Sequence, residues 1–239
     1  MSKESRTIDV CLSPDLIESF DLQEKIVVVV DILRATSCMV SGLANGVSGI
    51  IPVATIEECK AYQNEGYTCA AERGGKPVEG FELDNSPFSY MQDGLKGKTI
   101  SATTTNGTLA ITKSLDAEQI IIGAFLNITA VARYLERQPN DVIIHCAGWK
   151  GKVNMEDSLF AGALIDMLRD THAPGCDAPL MARNYYLSVK EDLLATVKNS
   201  AHAKRLAKIG IEKDTEFCMT FDYYDVIPVL KGNTLVAVS

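Results

Sequence analysis

Residues 27–38 read VVVVDILRATSC, and the interpretation of this stretch decides the fold. Residues 27–30 are an unbroken β-branched run. A strand with one wet face alternates, so a continuous run indicates a strand buried on both faces. The run ends on Asp31. Arg34 follows three residues later, then Thr36 and Ser37, whose hydroxyls suit the cap of a helix starting near Cys38. A buried strand thus hands a carboxylate, a guanidinium and two hydroxyls to one turn at a helix N-terminus. Such an end attracts anions through its free N–H groups and its dipole. A carboxylate there conflicts with a bound anion unless a cation lies between them, so the turn hints at a metal-assisted anion site. The simpler alternative is an Asp31–Arg34 ion pair at a strand end.

Working outward, three more segments of strand character run into polar turns. Residues 68–71 lead into ERGG at 72–75. Residues 98–102 lead into TTTNGT at 103–108, followed by a helix over 109–114. Residues 141–146 lead into AGWKGK at 147–152, then a helix over 154–170 with Glu156 and Asp157 in its first turn. Four threonines with a glycine between strand and helix suit the cradling of a tetrahedral anion; a simple threonine cap is the alternative. Acids in a first helical turn also favour the macrodipole, so capping and metal ligation are equal readings of Glu156 and Asp157. Residues 72–87, ERGGKPVEGFELDNSP, form the longest stretch without periodicity. Phe81 and Leu83 indicate that it packs onto the body of the protein rather than serving as a solvated linker.

The remaining elements fill in an alternating pattern. Strands are expected over 7–12, 50–53 and 119–122, and a helical turn or two over 15–20. Helices are expected over 37–45, closed by Asn45-Gly46, and after Thr55, which forms a capping box with Glu58. An amphipathic helix follows over 127–137. Residues 178–198 and 201–209 read as helices broken at Asn199-Ser200, residues 214–220 as a short helix, and 226–230 with 234–238 as a terminal hairpin. Strand–helix alternation predicts an α/β fold: a layered, largely parallel sheet covered by helices, with a C-terminal hairpin. Residues 1–239 suit one domain, with two lobes around a central cleft as an option.

Composition narrows the function. The chain has 239 residues, a net charge of −8 and 46% hydrophobic residues. The negative charge argues against general nucleic-acid binding. It also means that an anionic ligand must be drawn in by local cations or a metal. No apolar run approaches the roughly 20 residues needed to cross a bilayer, and MSKESRTIDV lacks an apolar signal region, so no membrane partner and a cytoplasmic location are expected. Seven scattered cysteines without CxxC spacing suit a reduced protein with buried thiols. Among them Cys38 has no neighbouring base and reads as packing.

Parallel sheets bind ligands beyond the carboxyl ends of their strands. Asp31, Glu72 and Asp157 or Glu156 could share one cation there. Oxygen donors beside an anionic partner point to Mg2+. Arg34, Arg73 and the loop of Thr104, Thr105, Asn106, Gly107 and Thr108 are candidates for phosphate or sulfonate, with Thr36, Ser37, Gly148 and Lys150 as further substrate contacts. Several other schemes are excluded by spacing. A haloacid-dehalogenase-type phosphatase needs Asp where Leu33 stands, a tyrosine-phosphatase loop is absent, and neither GxxxxGK[ST] nor GxGxxG occurs.

DILRATSC, AERGG, GFELDNSP, TTTNGT, HCAGWKG with MEDSLFAG, and DTEFCMTFDYYDVIPVL together resemble the 2-phosphosulfolactate phosphatase (ComB) family over roughly residues 27–229. The resemblance implies a magnesium-dependent hydrolase that removes phosphate from 2-phosphosulfolactate to give sulfolactate, serving coenzyme M biosynthesis in some organisms. Asp31, Arg34 and Arg73 would then be catalytic, with Asp31 as nucleophile or a metal-bound water attacking directly. The expected partner is a small anionic substrate; a homodimer is an open option. One departure is Asp84, which stands where the family pattern has Gly before Asn-Ser-Pro and adds a carboxylate.

Overall fold

β2 (Ile26–Val30) is buried along its whole length and lies between two parallel neighbours, as an unbroken β-branched run requires. The structure is a computed structural model that describes residues 6–73 and 76–238. Val28 sits opposite Ile121 of β7 (Gln119–Gly123) on one side and Ile144 of β8 (Val142–Cys146) on the other. β1 (Arg6–Cys11) continues this block beyond β8, and β9 (His172–Pro174) closes it. All five strands are parallel.

A second parallel block contains β3 (Gly49–Pro52), β6 (Thr99–Thr103) and β4 (Thr68–Arg73), edged by the short antiparallel β5 (Lys76–Pro77). The C-terminal hairpin of β10 (Ile227–Lys231) and β11 (Thr234–Val238) stands between the blocks. Its seams are narrow: Val229 pairs with Ile121 on one side, Leu235 with Ile50 on the other, both antiparallel. The two blocks therefore run in opposite directions. In a flat sheet their carboxyl ends would lie on opposite edges. Residues from the carboxyl ends of both blocks nevertheless line one cleft.

The chain crosses between blocks through α1 (Ala35–Ala44), which links β2 to β3, and α3 (Gly107–Lys113), which links β6 to β7. Each of these helices begins just after a strand end, β2 for α1 and β6 for α3, the side on which open α/β sheets bind ligands. The other helices are α2 (Ile56–Asn64), α4 (Ile128–Glu136), α5 (Met155–Leu168), α6 (Asp177–Val189), α7 (Leu193–Lys198), α8 (Ala201–Ala207) and α9 (Glu212–Cys218). One apolar cluster runs through both blocks and the helices covering them. Among the described residues no helix is long and apolar enough to cross a membrane.

Several local expectations change. α1 begins at Ala35, with Arg34 at its cap and no side-chain cap. Thr36 and Ser37 lie inside the helix, because their hydroxyls close the turn from within: Asp31 N donates to Thr36 Oγ1 and Ser37 Oγ donates to Ile32 O. The helix expected over 178–198 is split by a 3-10 turn at Lys190–Asp192. β9 escapes sequence reading because it is three residues long and contains Pro174, which only an edge position tolerates. The 72–87 stretch is not a loose linker, since Ala70 and Leu83 form a bridge and Leu83 is buried. Its Gly74 and Gly75 lie outside the described residues. The Thr55–Glu58 capping box is present as expected.

Candidate active site

Four strand ends deliver their turns to one small cleft. Asp31 follows β2, Glu72 lies at the end of β4, Asn106 follows β6, and Trp149 follows β8. Asn85, His202 and Arg205 line the same cleft. Close approach of α1 and α3 depends on Gly107, where a Cβ would stand 2.6 Å from Ala35 Cβ and 2.9 Å from Asp31 Oδ2.

Asp31 is buried, and its carboxyl is pushed up to about 6. Burial is the main cause; the charge of His202 opposes it, and Glu72 and Glu156 add to it. Glu72 is also buried, with Thr105 N and Oγ1 3.4 Å from its carboxylate oxygens. Carboxylates crowded in this way oppose one another's ionisation unless a cation or a proton intervenes.

Asp157 is also close enough for its charge to act on Asp31, but it is differently placed. It is fully buried in the first turn of α5. Its Oδ1 accepts from Ile32 N at 3.0 Å, while Oδ2 accepts from Gly148 N at 3.0 Å and Asn154 Nδ2 at 3.2 Å. Burial, helped by Glu156 and Asp31, still raises its carboxyl well above the usual range. Glu156, fully buried, reaches His202 Nδ1 at 2.7 Å through Oε1, and its Oε2 has no hydrogen-bond partner. Among the described residues no group of three or more His, Cys, Asp or Glu side chains is arranged to hold a metal ion. Of the three carboxylates expected to share one ion, Asp31 and Glu72 line the cleft, whereas Asp157 turns both oxygens to N–H donors. What remains is Asp31 and Glu72 facing one cleft. That donor set fits a hard dication such as Mg2+, which typically takes one or two carboxylates and completes its shell with water and substrate oxygens.

The candidate anion ligands also divide. Arg34 edges the cleft, yet its guanidinium is ion-paired with Asp214 of α9. Arg73 donates to Glu72 O at 2.7 Å and Thr103 Oγ1 at 2.9 Å, bracing β4 against β6. Thr36 and Ser37 are fully buried in the α1 turn. Thr104 and Thr108 bond each other reciprocally, N–H to hydroxyl in both directions. Asn106 faces the cleft and accepts from Lys150 N at 3.3 Å. Gly148 has φ +58, and a Cβ there would lie 2.4 Å from Lys152 O, so only glycine holds this turn. The Lys150 ammonium stands 5.5 Å from the centre of the Trp149 ring. Asp84 does not enter the site: Oδ1 accepts from Ser86 N and Ser89 Oγ, capping the turn that follows. Cys38 is buried, and burial drives its thiol well above the ordinary range, as a packing role requires.

His202 and Arg205 were missed in the sequence. They sit on α8, whose Ser200 cap marks the break at Asn199-Ser200. Their i, i+3 spacing puts both on one helix face, which is the signal that could have raised them. The Arg205 guanidinium lies 3.6 Å over the Trp149 ring, and His202 packs 5.5 Å from the same ring.

A cleft of acids, amides and a stacked guanidinium thus lies beyond the strand ends of the α/β sheet, where such sheets bind ligands. The chain belongs to the 2-phosphosulpholactate phosphatase family, whose model matches residues 11–233. Similar proteins carry the name probable 2-phosphosulfolactate phosphatase. One from Caldanaerobacter subterraneus is 41% identical over 217 residues, covering 89% of this chain and 90% of the relative. One from Thermotoga maritima is 43% identical over 210 residues, covering 87% and 90%. One from Clostridium acetobutylicum is 38% identical over 227 residues, covering 92% and 96%.

Proposed function

We propose that this chain hydrolyses 2-phosphosulfolactate to sulfolactate and phosphate, with Mg2+ as cofactor, in the cytoplasm. The observation that carries the reading is the meeting of Asp31 and Glu72 with Asn106 and Arg205 in one cleft, acids and anion-binding groups together. The names of the relatives supply the substrate. Asp31 and Glu72 would hold Mg2+, which when bound neutralises charge on the phosphoryl oxygens. Asn106 and Asn85 offer amide groups to substrate oxygens. Water attacks phosphorus, keeping one proton as the hydroxyl of the product phosphate and releasing the other to solvent, from which His202 is recharged; the bond from phosphorus to the C2 oxygen breaks, and that oxygen leaves as alkoxide. His202, with Nδ1 tied to Glu156, leaves its other ring nitrogen to deliver a proton to the alkoxide. Seven free thiols suit a reducing compartment.

The test is phosphate release from 2-phosphosulfolactate and from 2-phosphoglycolate, with and without EDTA. Release abolished by EDTA and restored by Mg2+ is expected, with the sulfonated substrate preferred. Turnover that survives EDTA overturns the cofactor. Preference for phosphoglycolate points to another 2-phospho acid, and binding without turnover to a noncatalytic role.

A further inference from the structure

Arg205 is a costly residue where it stands. Its Nε and Nη2 atoms are buried without any hydrogen-bond partner, and an unsatisfied buried guanidinium nitrogen loses its hydration for nothing. The other two arginines near the cleft are committed, Arg34 to Asp214 and Arg73 to Thr103 and the Glu72 carbonyl. The Arg205 plane is held by stacking on Trp149 at 3.6 Å, which limits its freedom and presents its edge as a fixed fork. Glu72 and Glu156 act on it through their charge, but neither accepts a hydrogen bond from its Nε or Nη2. A planar, pre-oriented fork with open donors matches a carboxylate or sulfonate.

We propose that Arg205 binds the anionic group of the substrate that is not transferred, its carboxylate or sulfonate, with Trp149 as the platform that orients it. The identity of the substrate rests on the phosphatase reading above. The division of labour follows from placement. Asp31 and Glu72 repel a bare anion and can serve the phosphoryl group only through a cation, whereas Arg205 enters the cleft from α8 and needs no cation. Arg205 is thus a specificity residue: it rewards substrates that carry a second negative group.

The experiment compares wild type, Arg205→Gln and Arg205→Lys on three esters: 2-phosphosulfolactate, 2-phospholactate and p-nitrophenyl phosphate. Arg205→Gln is expected to lower kcat/KM about 100-fold on the sulfonated substrate, mainly through KM, and to lower it at least about tenfold less on p-nitrophenyl phosphate. Arg205→Lys keeps the charge but not the fork, and falls between. A loss on 2-phospholactate as well assigns Arg205 to the carboxylate; a loss on the sulfonated ester alone assigns it to the sulfonate. Equal losses on all three esters, or none, overturn the proposal. If wild type turns over none of them, the phosphatase reading fails, and calorimetric titration with sulfolactate decides Arg205 separately. Binding to wild type that Arg205→Gln abolishes supports it, and equal or absent binding overturns it.

Discussion

Asp157 Oδ1 accepts a 3.0 Å hydrogen bond from the backbone N–H of Ile32, 125 residues earlier in the chain. The bond ties the first turn of α5 to the residue after Asp31, and Oδ2 does the same for the Gly148 turn. One carboxylate therefore aligns two of the turns that build the cleft.

Replacing that carboxylate tests its structural role. Asp157→Asn puts an NH2 against an N–H donor, and is expected to cost about 2 kcal/mol. Asp157→Ala strands three buried donors and is expected to cost about 3 kcal/mol. Urea unfolding midpoints measure both. Wild-type midpoints in both variants would show that the bonds to Ile32 and Gly148 contribute nothing.

The approach of α1 to α3 is tested at Gly107. A Cβ at this position meets Ala35 Cβ at 2.6 Å and Asp31 Oδ2 at 2.9 Å, and Ala35 Cβ is rigidly attached to backbone. Gly107→Ala is expected to destabilise the fold by about 2 kcal/mol and to lower activity more than about tenfold by displacing Asp31. Adding Ala35→Gly should recover part of the stability, because the pair shares one contact. Strict additivity in the double variant would rule out the clash as the cause.

Asp31 links stability to pH. Its folded value, about 6, lies above the ordinary 3.8, so between about pH 4 and pH 6 the folded state binds more protons than the unfolded chain. Stability therefore falls as pH rises through that window, by about 3 kcal/mol at most, and the Asp31 penalty is constant above it. Asp157, also raised, contributes with the same sign. In EDTA, Asp31→Asn is expected to flatten the slope between pH 4 and pH 6 and to exceed wild type in stability at pH 8. An unchanged slope, read from urea midpoints across pH, would refute the burial of an ionisable Asp31.

Much of the fold was legible because the signals are local. The β-branched run before Asp31 could only be a strand buried on both faces, and it is. Thr55 with Glu58, and Asn45 before Gly46 at φ +96, close their helices with groups within a few residues of one another. The terminal hairpin was readable from two apolar runs around Lys231-Gly232-Asn233.

The amino-acid order alone thus determined the elements, their alternation and the polar residues at the strand ends, since backbone propensity and side-chain periodicity act over short distances. Only the tertiary structure decided that the hairpin separates two blocks of opposite direction, and that Arg34 turns to Asp214 while Asp157 turns to Ile32 and Gly148. It alone brought His202 and Arg205 from α8 to a cleft whose acids lie far earlier in the chain. A buried charge takes whichever partner packing places beside it, and that partner can be more than a hundred residues away, beyond the reach of any local pattern.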